Sequence, residues 1–321
     1  MTDLENFLSI PVKDMTEDIV MSFLKKNVFF FKYIRIEDQT EKICIYVLAV
    51  DPFLISLIPH KNQTSKICKT AVSVPSIKNS PIDSTTDILQ CISPKYRYDK
   101  ELMEIAVKNR PSCLKSTKQT NDLCRIALKS NGISLVYVKP YLYDNILFQI
   151  AVENNGMSLQ YVPKKFFTVN VVETAVKQNG LSIQYVPEKF MTEKVMSVAV
   201  ENKPEIIEFN FLQSESLCMK AIKLKPSLFS LIEKKNLTPA IYRTSFFLGG
   251  CPFEEFPKEL QTEEIALKAV KRDGMNLKFV KTQTENICVC AYKENIYSMM
   301  YINEEFRYLY ERKKAREEDI M

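Results

Sequence analysis

The chain predicts an all-α fold: an α-solenoid of about a dozen helix-hairpin repeats of 21–24 residues, elongated and curved. Three observations lead there. Asp144–Phe166 reads DNILFQIAVENNGMSLQYVPKKF, Thr168–Phe190 reads TVNVVETAVKQNGLSIQYVPEKF, and Thr120–Lys139 opens the same way with TNDLCRIALKSNGISLVYVK. A fixed step of this size marks one supersecondary unit that buries its apolar face only by stacking on its neighbours. Second, of the six glycines, Gly132, Gly156, Gly180, Gly250 and Gly274 each fall twelve residues after a repeat start, and Pro52, Pro111, Pro204 and Pro226 fill that slot elsewhere. Third, nearly every start is a Thr, Ser or Asp, the residue types whose side-chain oxygen accepts an orphan N–H at a helix N-terminus.

The starts are Thr16, Thr40, Thr64, Asp99, Thr120, Asp144, Thr168, Thr192, Ser214, Thr238, Thr262 and Thr284, with a degraded copy expected near Ser84. After each, apolar residues at positions three, four, seven and eight, such as Val171, Val172, Ala175 and Val176, form one helical stripe. Position seven is small, so a neighbouring helix can approach closely. Acids in the first turn, Glu193, Glu263 and Glu264 among them, suit the helix dipole. At position twelve, Gly is expected to end the helix in a left-handed conformation and Pro to end it by blocking continuation. On that basis Gly180 should be left-handed, and Gly249, outside the register, should be the more tolerant of replacement. The segment that follows, LSIQYVP in Leu181–Pro187, could suit a short strand. Its apolar spacing favours a short helix, which completes a hairpin.

Three stretches follow from this register. Residues 1–95 hold degenerate repeats, with residues 75–95 either a kink or a decayed repeat bulging as a loop. Residues 96–300 form the regular array, and residues 301–321 a charged helix that caps the last apolar face.

Composition narrows the class. No stretch is long enough to cross a membrane, since Ile43–Pro59 carries Asp51 and Pro52 at its centre. The opening MTDLENFLSI lacks a secretory pattern, so an intracellular protein is expected. Of nine cysteines, Cys44, Cys68, Cys124, Cys218 and Cys288 fall at position four, which predicts small buried hydrophobes rather than disulfides or metal ligands. The single histidine, His60, sits in a turn and completes neither a triad nor a metal cluster. No phosphate-binding loop or zinc-protease motif is present, and Gly249-Gly250 resembles a phosphate turn only superficially. An enzyme is not expected, nor a cofactor, a metal, a membrane contact or a small-molecule substrate.

One feature goes beyond scaffold. Lys recurs at position nine: Lys25, Lys108, Lys129, Lys177, Lys223, Lys271 and Lys293. Stacking would align them into a stripe for phosphates or acidic side chains. Against this, cations in a last helical turn are favoured by the dipole alone, the chain's net charge of +5 is modest, and Glu153, Glu201 and Phe247 interrupt the row. Tyr137, Tyr161 and Tyr185 recur in register and are expected to pack between repeats rather than to stack on bases.

The string AVKQNGLSIQYVP, Ala175–Pro187, resembles a short repeat of unknown function abundant in giant DNA viruses of amoebae and found in some intracellular bacteria and protists. The resemblance is strong over Thr120–Asn202, clear again over Thr262–Ile302, weak before Asp99, and departs where Pro replaces Gly and at Ile296. It implies a helical-repeat fold and a viral or effector origin, in host cytoplasm, a viral factory or the virion. It offers no catalytic residues. A Lys/Asn/Ile-rich composition suits an AT-rich viral genome. The leading expectation is a non-enzymatic scaffold for a protein partner, viral or host. The alternative is RNA or DNA binding along the Lys stripe.

Overall fold

The computed structural model describes residues 3–11, 14–74 and 87–308, and among them there is no strand. The chain divides into two units, residues 1–191 and 192–321. Unit 1 carries α1 (Asp3–Ser9), α2 (Glu17–Lys26), α3 (Glu41–Val50), α4 (Ser65–Ser73), α5 (Ile88–Cys91), α6 (Lys100–Asn109), α7 (Asn121–Ser130), α8 (Asn145–Asn154) and α9 (Val169–Gln178). Unit 2 carries α10 (Glu193–Asn202), α11 (Glu215–Leu224), α12 (Pro239–Leu248), α13 (Glu263–Arg272) and α14 (Glu285–Glu294). Within each unit the helices pack neighbour to neighbour, as stacked repeats must.

Each repeat is one α-helix of ten residues (nine in α4), most often followed by a six-residue 3-10 helix, as in Gly132–Tyr137, Gly156–Tyr161 and Gly180–Tyr185. A three-residue 3-10 turn often follows, such as Lys164–Phe166. The second half of the hairpin is therefore helical, of the tighter kind that suits a short piece. The repeat starts read from sequence are the helix caps. Thr168 Oγ1, for example, accepts from Val171 N at 3.3 Å, and Asp144 Oδ1 from Leu147 N at 2.6 Å. Positions three, four, seven and eight form the core, with Val172, Ala175 and Val176 fully buried.

The role expected of the slot at position twelve is corrected by the backbone. Gly132, Gly156, Gly180 and Gly274 do not end a helix in a left-handed conformation; each is the first residue of the 3-10 helix, and the one positive φ among the described residues is 87° at Gly249. Pro52, Pro111, Pro204 and Pro226 also open a 3-10 helix rather than close the α-helix, because proline fits a first helical position whose N–H has no intrahelical partner. The α-helix has already ended at the preceding residue in extended conformation. In the glycine copies that residue is Asn131, Asn155, Asn179 or Asp273, whose side chain caps the 3-10 helix in turn.

Glycine is required there by close approach. A Cβ on Gly132 would lie 2.2 Å from the Ala151 carbonyl oxygen, on Gly156 2.3 Å from that of Ala175, and on Gly274 2.4 Å from that of Ala291. The small residue at position seven and the glycine at position twelve are thus two sides of one contact between successive repeats. Gly250 differs again: its Cβ would meet the Pro226 carbonyl of the preceding repeat at 2.0 Å. Its neighbour Gly249 is the left-handed cap of α12, in open space, so the helix-ending rule operates at Gly249 and not at the residues in register.

In two glycine copies the slot's backbone N–H is itself used, which proline could not supply; the repeats after Gly250 and Gly274 carry Arg272 and Glu294 at position ten instead of an amide. Gly132 N donates to Asn154 Oδ1 at 2.7 Å, and the same amide donates from Nδ2 to the Lys129 carbonyl at 2.8 Å. Gly156 N donates to Gln178 Oε1 at 2.5 Å. An amide at position ten of one repeat therefore serves the N–H and the frayed helix end of the repeat before it. Proline has no N–H to serve. The repeats that follow Pro52, Pro111, Pro204 and Pro226 carry Val74, Ser130, Leu224 and Leu248 at position ten, none of them an amide.

Residues 75–86 lie outside the described residues, so the kink or loop expected there is not described. Residues 87–93 nonetheless have a definite place. Gln63 donates to the Cys91 carbonyl and accepts from Ser93 N, the bonds that Gln119 makes to Tyr137 and Lys139 in a regular copy. The segment around α5 is therefore the second half of the Thr64 repeat, displaced by an insertion, rather than a repeat opening near Ser84. From α6, Asn109 and Arg110 reach the α4 carbonyls of Val72 and Ala71. At the chain's end, residues 304–308 are helical and Phe306 packs on the last core cluster; the remainder of the segment expected to cap the array lies outside the described residues.

Candidate interaction surfaces

Two repeated polar ties set the framework apart from the surface. The first is a buried glutamine immediately before the cap. Gln213 Nε2 donates to the carbonyls of Ile207 (2.9 Å) and Leu231 (3.0 Å), while its Oε1 accepts from Glu233 N at 2.8 Å. Gln119 does the same between Leu114 and Tyr137–Lys139, and Gln283 holds Tyr301 and Asn303. One side-chain amide thus stands in for a backbone rung between successive repeats. In two of the copies that lack the glutamine a ring takes its place: Tyr143 lies 6.3 Å from Phe166, and Phe167 stacks on Phe190 at 6.2 Å. The second tie joins cap hydroxyls to acids one repeat back: Thr40 to Glu17, Thr64 to Glu41, Thr238 to Glu215 and Thr284 to Glu263. Among the Thr, Ser and Asp caps of this chain, a hydroxyl can accept the helix N–H and also donate to a carboxylate, whereas an ionised Asp can only accept. Asp144, which cannot donate, follows a repeat with Asn121 at that place. Neither tie was read from sequence, although the recurring Gln before Thr was visible.

Cysteines belong to this framework. Cys44, Cys68, Cys124, Cys218 and Cys288 are buried free thiols, and burial pushes each up to about 11, away from the thiolate that a nucleophile or metal ligand requires. His60 is exposed. Among the described residues no group of three or more His, Cys, Asp or Glu could hold a metal ion, and no helix is long and apolar enough to cross a membrane.

The position-nine lysines stand in the last turn of their helices, all exposed. The structure brings them together only in part. Lys108 and Lys129 are on packed neighbours α6 and α7, and Lys271 and Lys293 on α13 and α14. Between Lys25 and Lys108, α3 and α4 supply Ala49 and Ser73, and α8 supplies Glu153 between Lys129 and Lys177. In unit 2, Glu201 binds Lys220, and Phe247 lies under Lys268 at 4.6 Å.

Beyond the framework, each unit has a cleft in its surface. On the helix face of unit 1, Ile146 and Val169 are 57% and 60% exposed beside a cleft of about 450 Å³ lined by Gln149, Ile150, Glu153 and Asn170. The Gln149 amide there is fixed by Glu153, Thr174 and Asn170. In unit 2, the irregular repeat around Gly249 opens a cleft of about 540 Å³ against Arg272, Met275 and Lys278. Arg272 is committed to the fold: it donates to the Phe246 carbonyl at 2.7 Å and the Phe247 carbonyl at 3.0 Å, and lies over the Phe246 ring at 4.8 Å. Cys251 in that cleft is pushed up to about 12 by burial.

The fold and these ties define the class as a helical-repeat protein. Two stretches, residues 147–191 and 262–307, match the family model of a domain of unknown function, DUF4116. Each match covers two successive repeats, one pair in each unit; the first lies within Thr120–Asn202, where the sequence resemblance is strong, and the second overlaps Thr262–Ile302, where it is clear, and runs five residues further. No curated protein and no solved structure matches the chain.

Proposed function

We propose that the protein is a non-enzymatic helical-repeat scaffold that binds a protein partner along the outer helix face of unit 1. The observation that carries this reading is the division of labour within the repeat. Positions three, four, seven, eight and twelve are held to a few residue types by packing. Position two, outward on every helix, runs through acids, lysines, amides, serine, alanine and isoleucine. Such a surface is free to be fitted to a ligand while the stack is unchanged. At α8 and α9 position two supplies Ile146 and Asn170, and with exposed Val169 at position one they set two aliphatics around fixed amides, the mixture of apolar centre and polar rim that protein interfaces use. The likeness to repeats of giant viruses suits a viral or host partner, met in the host cytoplasm, a viral factory or the virion.

Capture with the full chain at physiological salt, from cells in which it is native, tests this against the variant Ile146→Asp with Val169→Asp. A partner held in stoichiometric amount by the parent and lost by the variant is expected. An identical set of captured proteins from both, or no stoichiometric partner, would remove the helix face from consideration.

A further inference from the structure

We propose that the loop edge of unit 1, over the four repeats from Asp99 to Phe190, is a binding surface for single-stranded nucleic acid. This lies beyond the scaffold reading and uses different residues from the helix face. The edge comprises residues sixteen to twenty-two after each cap, where the 3-10 segments of successive repeats lie side by side. Their adjacency is fixed by Gln119 between Leu114 and Tyr137, by Tyr143 against Phe166 at 6.3 Å, and by Phe167 against Phe190 at 6.2 Å.

Charge is concentrated here. Lys115, Lys118, Lys139, Lys164, Lys165 and Lys189 are all exposed, against the single acid Glu188, a net of +5 and as much as the whole chain carries. None of the six makes an ion pair among the described residues. The same seven positions of the five repeats in unit 2 hold five lysines against seven glutamates, a net of −2, and Lys235 there is paired to Glu233 at 2.6 Å. The basic edge is thus a property of these four copies and not of the repeat.

Flat rings accompany the charge. Tyr141 is 72% and Tyr137 37% exposed, and Tyr161 and Tyr185 are half-buried at the same register as Tyr137. Lys165 and Lys189 lie over the rings of Phe166 and Phe190 at 5.0 and 4.8 Å, which holds their ammonium groups at the edge. A ligand fitted to this surface is anionic and aromatic at each step. Single-stranded nucleic acid has both properties at every nucleotide, and its bases are free to stack. An acidic peptide would use the lysines and leave the tyrosines idle, and a duplex would offer phosphates but no free base faces.

The test measures binding of a labelled oligouridylate of about a dozen nucleotides, within the span such surfaces cover, to the full chain by fluorescence anisotropy over a salt series. Reversal of Lys139, Lys164, Lys165 and Lys189 to Glu is expected to weaken binding more than about tenfold and to flatten the slope of log affinity against log salt by about 3, four phosphate contacts at roughly 0.7 each. Tyr137→Ala with Tyr141→Ala is expected to weaken the single strand at least about fivefold and leave a duplex of equal length unchanged. Reversal of Lys223 and Lys271 in unit 2 should leave affinity where it was. Circular dichroism melts check that each variant folds, and the tyrosine pair stands as the independent measurement should the lysine set unfold the chain. Absence of binding at low salt, equal binding by the lysine-reversed protein, or competition by polyglutamate as effective as by RNA with the tyrosine pair silent would each overturn the proposal.

Discussion

The two stretches that match one family model, residues 147–191 in unit 1 and 262–307 in unit 2, have the same framework and different edges, the first basic and the second balanced. In both, a glycine opens the 3-10 helix under the carbonyl of an alanine in the next repeat, Gly156 under Ala175 and Gly274 under Ala291. In both, a threonine caps the α-helix. At the edge, the first carries Lys164, Lys165 and Lys189 against Glu188, and the second Lys278 and Lys281 against Glu304 and Glu305. What identifies the repeat is therefore what holds it to its neighbours. What it would bind is written in positions that the framework leaves unconstrained.

The largest effect expected from breaking the shared framework is at the glycine contact. Gly156→Val and Gly274→Val each force side-chain atoms into a backbone carbonyl of the next repeat, and overpacking of that kind costs roughly 1–3 kcal/mol or more. Gly249→Ala should cost only about 1–2 kcal/mol, because its Cβ meets nothing and only the left-handed backbone opposes it. Urea melts of the three variants decide it. A Gly249 variant less stable than both others would mean that conformation, not contact, fixes glycine in this repeat.

The glutamine tie sharpens the comparison, because the two stretches differ in it. Gln283→Leu in the second leaves the Tyr301 carbonyl and the Asn303 N–H without their partner, at about 1–3 kcal/mol for each group that stays buried. In the first stretch the corresponding place is Phe167, stacked on Phe190, so Phe167→Gln should not restore a stable tie and should lose the ring contact as well. Thermal denaturation of both measures this. An unchanged midpoint for Gln283→Leu would show that the amide bridges nothing of consequence.

How much of this was legible follows from which residues act locally. Caps, helix stripes and the repeat period depend on neighbours within one turn, so Thr168 and Val172 announce their roles in sequence. Position twelve is legible and its physics is not, because Gly180 read alone is equally suited to a left-handed cap and to a close contact. Only the carbonyl of the next repeat separates the two at Gly132, Gly156 and Gly274. The bridges from Gln119 and Gln213 span about one repeat, and nothing within a few residues of a buried glutamine tells which carbonyl it will reach. The lysine stripe that sequence shows is at position nine, where the dipole favours cations in any case. The concentrated charge of unit 1 lies in segments whose side-by-side arrangement emerges only on folding.

The smallest expected effect concerns the tie between cap hydroxyl and acid, which has a lysine in one place and not in another. Hydrogen bonds from Lys42 first, then Thr40, hold the Glu17 carboxyl below the usual carboxylate range. In the second matched stretch Glu263 accepts from Thr284 at 3.0 Å and has no ion-pair partner among the described residues. A carboxyl depressed in the folded state binds fewer protons there than in the unfolded chain, so stability rises with pH through the carboxylate range. The contribution is complete above the unfolded value, about 4.3, and is lost as pH falls through the lower folded value. Glu17→Gln should therefore lower the melting temperature slightly near pH 7, and the difference from the parent should shrink to nothing in strong acid. Glu263→Gln, which retains an oxygen for Thr284 and breaks no ion pair, serves as the reference at each pH. A Glu17→Gln deficit of constant size from neutral to strongly acid pH would mean that the loss is one of packing and that the charge tie between these repeats contributes nothing.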